Sequence, residues 1–87
     1  MTDTQLLQEF EALAERLNIP VTYANLGDGN GGLCVVKGER RFILNRSAEA
    51  KTRNEIFARE FARLSLDDVY IRPLVRERID AVRSARE

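Results

Sequence analysis

The stretch that decides the fold spans Gly32 to Leu64 and begins Gly-Leu-Cys-Val-Val-Lys-Gly-Glu-Arg-Arg-Phe-Ile-Leu-Asn-Arg. Leu33 to Val36 is apolar on both faces, so we expect a strand that lies centrally in a sheet and is covered on both sides. Lys37-Gly38-Glu39-Arg40 has the composition of a tight turn, after which Arg41 to Asn45 returns as a second strand. Cys34 is then interpreted as a small buried hydrophobic residue.

Two helices are predicted after this hairpin. Ser47 is the natural N-cap of the longer helix, which contains no glycine or proline before Leu64. Pro73 suits the first position of the last helix, because its fixed φ is compatible with a helix and its missing N–H is not needed there. The apolar stripe of this last helix consists of Val75, Ile79 and Val82.

The N-terminal part of the chain predicts a further helix and strand. Thr2 and Gln5 have the spacing of a capping box, and a stripe of leucine and phenylalanine continues helix one to about Leu17. Val21 to Leu26 predicts a short strand, and the glycine-rich segment Gly27 to Gly32 predicts a hairpin loop. These elements predict one α+β domain over residues 1–87, in the order α-β-β-β-α-α, with a small antiparallel three-stranded sheet packed by helices.

Composition restricts the possible functions. The chain has 87 residues, no histidine, a single cysteine and a formal net charge of zero. Because histidine is the commonest transition-metal ligand and acid–base residue, we expect no enzyme activity and no metal or other cofactor. The first residues lack the pattern of a signal peptide, and no stretch is apolar enough to span a bilayer. These features predict a cytoplasmic location and no membrane partner.

The longer helix carries a possible ion cluster. On a helical wheel Glu60 falls inside the apolar arc, Arg53 lies beside that arc, and Arg63 lies at its margin. One interpretation is that these charges lie at the exposed rim of an apolar face, as charged residues usually do. The alternative is a buried or interfacial ion cluster made by Arg53, Glu60 and Arg63, which would fix the geometry of a partner.

The motif Arg59-Glu60-Phe61-Ala62-Arg63, placed after two strands and a turn, resembles the core of zinc metallopeptidases whose helix carries His-Glu-x-x-His. In that family the two histidines bind zinc and the glutamate activates the bound water, whereas arginines occupy both matching positions here. The resemblance covers residues 32–64 and implies a relative that lacks the catalytic metal. Gly-Gly-Leu-Cys and Asp-Asp-Val-Tyr-Ile-Arg-Pro also resemble segments of small uncharacterised bacterial proteins, which implies a bacterial cytoplasm.

Charge is distributed unevenly along the chain. Residues 1–36 carry five acidic residues and one arginine, and the remainder carries the opposite excess. This asymmetry could hold helix one against the basic segment of the same chain, or promote association between copies. The plausible basic patch for nucleic acid or another anion consists of Lys37, Arg40, Arg41, Arg46, Lys51 and Arg53, and acidic residues interrupt it.

The functional expectation is a non-catalytic interaction module that associates with itself as a homodimer. Three helices around a small sheet offer more apolar surface than one short chain can cover, and a chain of this length hides only about 60–65% of its extended surface. We expect the last helix to supply the dimer interface through Val75, Ile79 and Val82. A different protein is the alternative partner, and the alternative function is weak anion or nucleic-acid binding through the basic hairpin patch.

The sequence makes one prediction about metal. Guanidinium groups cannot bind zinc, and the chain offers one cysteine and no histidine, so the purified protein should contain no stoichiometric zinc. Elemental analysis of protein purified without chelator measures this directly. One equivalent of zinc retained through chelator treatment would contradict the prediction.

Overall fold

The structure is a three-stranded sheet with helices stacked on one of its faces. A computed structural model describes residues 1–85. The elements are α1 (Asp3–Arg16), β1 (Val21–Ala24), β2 (Gly31–Val36), β3 (Glu39–Asn45), α2 (Ala50–Phe61) and α3 (Pro73–Ala85). The α+β class and the element order α-β-β-β-α-α are therefore confirmed.

The sheet is mixed, and the prediction of an antiparallel sheet is wrong. The strand order is β1-β3-β2, with β3 antiparallel to β2 and parallel to β1. The glycine-rich segment before β2 is therefore not a hairpin loop, because the strands that it joins are not neighbours. It spans the width of two strand spacings, about 10 Å, and leaves room for β3 to enter between them. Glycine content marks a connection but does not distinguish these two geometries.

The central strand is β3, and the prediction that the segment Leu33 to Val36 lies centrally is also wrong. Phe42 and Leu44 of β3 are fully buried, whereas Val35 and Val36 of β2 are 69% and 43% exposed. Cys34 is only partly buried rather than a core residue. The apolar run of β2 lies on an edge strand whose far end extends beyond the covering helices.

The β2–β3 hairpin is confirmed, with a turn of two residues. Lys37 and Gly38 both have positive φ, at 53° and 82°, so β3 begins already at Glu39. Two successive residues with positive φ are the signature of the turn that matches the right-handed twist of paired strands. This local requirement explains why the hairpin could be recognised in the sequence.

The start of α2 differs from the prediction. Glu49 is the N-cap, and Ser47 instead donates its backbone N–H and its hydroxyl to Asn45 Oδ1, at 3.1 and 2.9 Å. Asn45 is buried, and its Nδ2 donates to the carbonyls of Gly27 and Gly29 at 3.0 and 2.6 Å. Ser47 therefore stabilises the loop beyond β3, and α2 runs only from Ala50 to Phe61.

The core is centred on four fully buried phenylalanines. Phe10 of α1 stacks on Phe57 and Phe61 of α2, with ring centroids 5.7 and 5.9 Å apart. Phe42 of β3 packs at a tilt against the same two α2 rings, at 4.7 and 5.2 Å. Both geometries are favourable for aromatic pairs. The cluster fixes α1 and α2 on one face of the sheet.

Helix α3 packs on α2 and α1, away from the sheet. Val75 and Ile79 are only 2% and 1% exposed, so they belong to the core and cannot form the predicted dimer interface. Arg83 holds the end of α3 in place by donating to the carbonyls of Ala62 and Leu64, at 3.1 and 2.8 Å. The chain reverses direction after α2, so the apolar stripe of α3 is covered by α1 and α2 of the same molecule. No helix among residues 1–85 is long and apolar enough to cross a membrane.

The burial of Ile79 predicts the effect of a charge at this position. Ile79→Asp places a carboxylate in the core without a partner, which costs several kcal/mol and is comparable to the whole stability of so small a protein. We expect Ile79→Asp to be unfolded by circular dichroism. Leu74→Asp is the matched control, because Leu74 lies on the same helix and is 50% exposed. A folded Ile79→Asp, or an equally unfolded Leu74→Asp, would contradict this account of α3.

Candidate functional site

Glu60 is a buried carboxylate bound to the edge of the sheet. Its side chain is 10% exposed, and its Oε2 accepts the backbone N–H of Leu33 in β2 at 2.8 Å. Gly32 leaves the space for this contact, because a Cβ at that position would lie 3.0 Å from Oε2. A charge-assisted hydrogen bond to a backbone N–H is among the stronger kinds. Glu60 therefore joins α2 to β2 and occupies an N–H of the sheet edge.

Two arginines lie at the rim of this carboxylate. Arg63 NH1 is 3.7 Å from Glu60 Oε1, and Arg59 Nε is 4.0 Å from the same oxygen. Both arginine side chains are more than half exposed, so these long ion pairs contribute little by themselves. The structure thus brings Glu60 and Arg63 together as predicted, with Arg59 as the second guanidinium. The interpretation of the charges as an exposed rim holds for the arginines and is wrong for Glu60.

Arg53 belongs to a different cluster, two turns before Glu60 on nearly the same face of α2. Its guanidinium carbon lies 4.4 Å above the ring of Tyr23, and its NH2 donates to the carbonyl of Arg46 at 2.7 Å. The hydroxyl of Tyr23 donates to Glu11 of α1. Burial and the neighbouring Glu11 carboxylate raise the pKa of Tyr23 above its usual value, so the hydroxyl stays protonated. This cluster joins α1, β1 and α2, and the sequence pattern of α2 alone gave no sign of it.

The predicted basic patch is not one surface. Lys37 is at the tip of the hairpin, and Arg46 follows the opposite end of β3, about 23 Å away at the usual rise of a strand. Arg40 and Arg41 are successive residues of β3 and point to opposite faces of the sheet. Arg53 is held over Tyr23, and Lys51 is exposed on α2. Basic residues adjacent in sequence are therefore distributed over several sides of the molecule.

The position that matches the metal site of the peptidases holds Arg59, Glu60 and Arg63. Within residues 1–85, no three His, Cys, Asp or Glu side chains lie together in a group that could hold a metal ion. Arg59 and Arg63 place positive charge beside the buried Glu60 carboxylate. This carboxylate in turn closes part of the β2 edge. The prediction about zinc stays a prediction.

Two grooves were not recognised in the sequence. The first lies between α2 and α3, has a volume of about 480 Å³ and is called the α2–α3 groove. The second lies between the end of α1 and β1, has a volume of about 500 Å³ and is called the β1 groove. In the sequence, the α2–α3 groove is marked only by alanines of α2 and α3, and the β1 groove only by acidic residues of α1. The packing of the elements is needed to show that these residues line concave surfaces.

The Glu60 contact predicts a measurable contribution to stability. Glu60→Gln keeps an oxygen that can accept from Leu33 but removes the charge and directs an amide toward the arginines. We expect a loss of about 1–2 kcal/mol in the free energy of unfolding, measured by urea denaturation. Glu77→Gln, at an exposed position of α3, should change it by less than about 0.5 kcal/mol. Equal effects of the two substitutions would show that the buried carboxylate is not a stabilising contact.

The chain matches no protein-family model, no curated protein and no solved structure. The resemblance of residues 32–64 to zinc metallopeptidases therefore stays a prediction.

Proposed function

We propose that this chain is a non-catalytic interaction module that forms a homodimer through the α2–α3 groove. The groove is lined by Glu55, Ala58, Arg59, Arg78, Ala81, Val82 and Ala85. Val82 is the one residue of the sequence-predicted interface that contributes to this surface. The second copy presents the same groove, so that α3 of each copy lies against α2 and α3 of the other.

The floor of the groove is suited to a helix. Ala58, Ala81 and Ala85 are small, so a partner helix can approach closely, at the short end of the usual interaxial distance of about 8–10 Å. Val82 is only partly buried by its own chain and offers further apolar surface. Closing the groove would remove this surface from water, which favours association in a protein with a small core.

The observation that carries the proposal is the charge pattern of the rim. Glu55 lies on one side and Arg78 on the other, and neither forms an ion pair among residues 1–85. A two-fold axis repeats every contact, so a contact of Glu55 with Arg78 of the second copy would occur twice. A surface with both signs of charge around an apolar floor can pair with a copy of itself when the two-fold axis brings Glu55 of one copy opposite Arg78 of the other. This property favours a second copy over a uniformly charged partner.

Two further features support a module without catalysis. The chain contains no histidine, and within the described region no three Cys, Asp or Glu side chains form a group that could hold a metal ion. The alternative function, weak anion or nucleic-acid binding, is less well supported because the basic side chains do not share one surface. We propose the cytoplasm as the location, because a reduced thiol is compatible with it.

The dimer is tested by introducing a charge in the groove. Ala81 is exposed, so Ala81→Glu should fold normally, but a two-fold interface would then bury two added carboxylates next to apolar residues. We expect the wild type to sediment as a dimer at micromolar concentration and Ala81→Glu as a folded monomer. Thr4→Glu, at an exposed position of α1, is the matched control and should remain dimeric.

Exchanging the charges of Glu55 and Arg78 tests whether these two residues pair across the dimer interface. Glu55→Arg and Arg78→Glu should each weaken the dimer, since each brings like charges together, and the double variant should restore it. A monomeric wild type would contradict self-association. A dimer that tolerates Ala81→Glu would show that association uses a different surface.

A further inference from the structure

The outer edge of β1 has free backbone groups. Phe42 donates its N–H to the carbonyl of Pro20 at 2.8 Å, and Arg46 donates its N–H to the carbonyl of Ala24 at 2.7 Å. Because the backbone groups of a strand alternate in direction, Pro20 and Ala24 face β3 and the N–H and C=O groups of Val21 and Tyr23 face the opposite way. β1 is the last strand of the sheet on this side, so these groups point away from the sheet.

The β1 groove lies beside this edge. It is lined by Glu11, Glu15, Asn18, Ile19, Pro20, Val21 and Tyr23. One wall thus comes from the acidic end of α1, and the other comes from the strand with the free backbone groups. The carboxylate of Glu11 accepts the hydroxyl of Tyr23, whereas Glu15 is exposed and forms no ion pair among the described residues. The groove is therefore acidic and partly apolar.

The two edges of the sheet differ in whether a side chain of the same molecule binds their outward backbone groups. On β2 the outward N–H of Leu33 is bound by Glu60, so a carboxylate of the same molecule already occupies part of that edge. On β1 the acidic side chains stand beside the strand, and Glu11 is directed to the Tyr23 hydroxyl rather than to the backbone. Free edges bind added strands unless something blocks them. No side chain of the described residues is hydrogen-bonded to the outward backbone groups of Val21 and Tyr23, so the whole length of the β1 edge is available to another chain.

We propose that the outer edge of β1 binds an extended segment of a second protein, which adds a strand to the sheet and places a lysine or arginine side chain in the β1 groove beside Glu15. Backbone hydrogen bonds to Val21 and Tyr23 supply the pairing, and the groove supplies the preference for a basic side chain. This surface is separate from the α2–α3 groove and goes beyond self-association.

The charge of the groove identifies the occupant. Antiparallel pairing of β1 with β1 of a second copy would bring Glu15 of each copy toward the acidic wall of the other, and like charges repel. A segment with alternating apolar and basic residues has no such conflict. Since β1 is only four residues long, the added strand gains few backbone hydrogen bonds, and the charge contact decides the selectivity.

Fluorescence anisotropy with short labelled peptides tests the proposal. The probe is a hexapeptide of alternating valine and lysine, compared with a valine and glutamate peptide and with a valine and lysine peptide methylated on alternate backbone nitrogens. We expect saturable binding of the first probe with a Kd below about 1 mM, and at least about tenfold weaker binding of the other two. The methylated peptide keeps its charge but cannot form the strand.

Variants of the protein separate the groove from general electrostatics. Glu15→Lys should weaken binding of the basic peptide at least about tenfold, a difference of about 1.4 kcal/mol. Glu77→Lys makes the same change of charge at an exposed position of α3 and should leave the affinity unchanged. Absence of saturable binding, equal binding of the methylated peptide, or equal effects of Glu15→Lys and Glu77→Lys would each overturn the proposal.

Discussion

The contact among four phenylalanine rings is the interaction on which the rest of this structure depends. Phe10, Phe42, Phe57 and Phe61 come from α1, β3 and α2, and all four are fully excluded from water. Their burial fixes which face of the sheet is covered and which face of α2 turns inward. Arg53 and Glu60 lie two turns apart on nearly the same face of α2, and the contacts that each makes with the sheet follow from that orientation. Both polar clusters are therefore consequences of the aromatic packing.

The two edges of the sheet and the outer side of the helices define what the molecule presents to partners. Glu60 closes part of the β2 edge by accepting from Leu33, while the β1 edge stays open beside Glu15. On the side of the helices away from the sheet, the apolar stripe of α3 packs against the core. The α2–α3 groove lies beside this contact, between Ala58 and Ala81. These are two different surfaces, one acidic and extended, and one apolar with charges of both signs.

Local signals in the sequence predicted local structure well. The capping box of Thr2 and Gln5, the start of α3 at Pro73 and the turn at Lys37 are all present, because each depends on neighbouring residues alone. The sequence did not predict the strand order, and it left open whether Glu60 is buried or lies at an exposed rim. They depend on contacts between distant segments, such as the space that Gly32 leaves for the carboxylate. Periodicity likewise identified the stripe of α3 but not the surface that covers it.

The central claim is that the α2–α3 groove of one copy binds the same groove of another. Isotope-filtered NMR on a mixture of labelled and unlabelled protein tests it most directly, because it detects contacts between copies alone. The account predicts intermolecular contacts among the methyl groups of Ala58, Ala81 and Val82. Intermolecular contacts confined to the open face of the sheet, at Ile43 for example, or no intermolecular contacts at millimolar concentration, would contradict it.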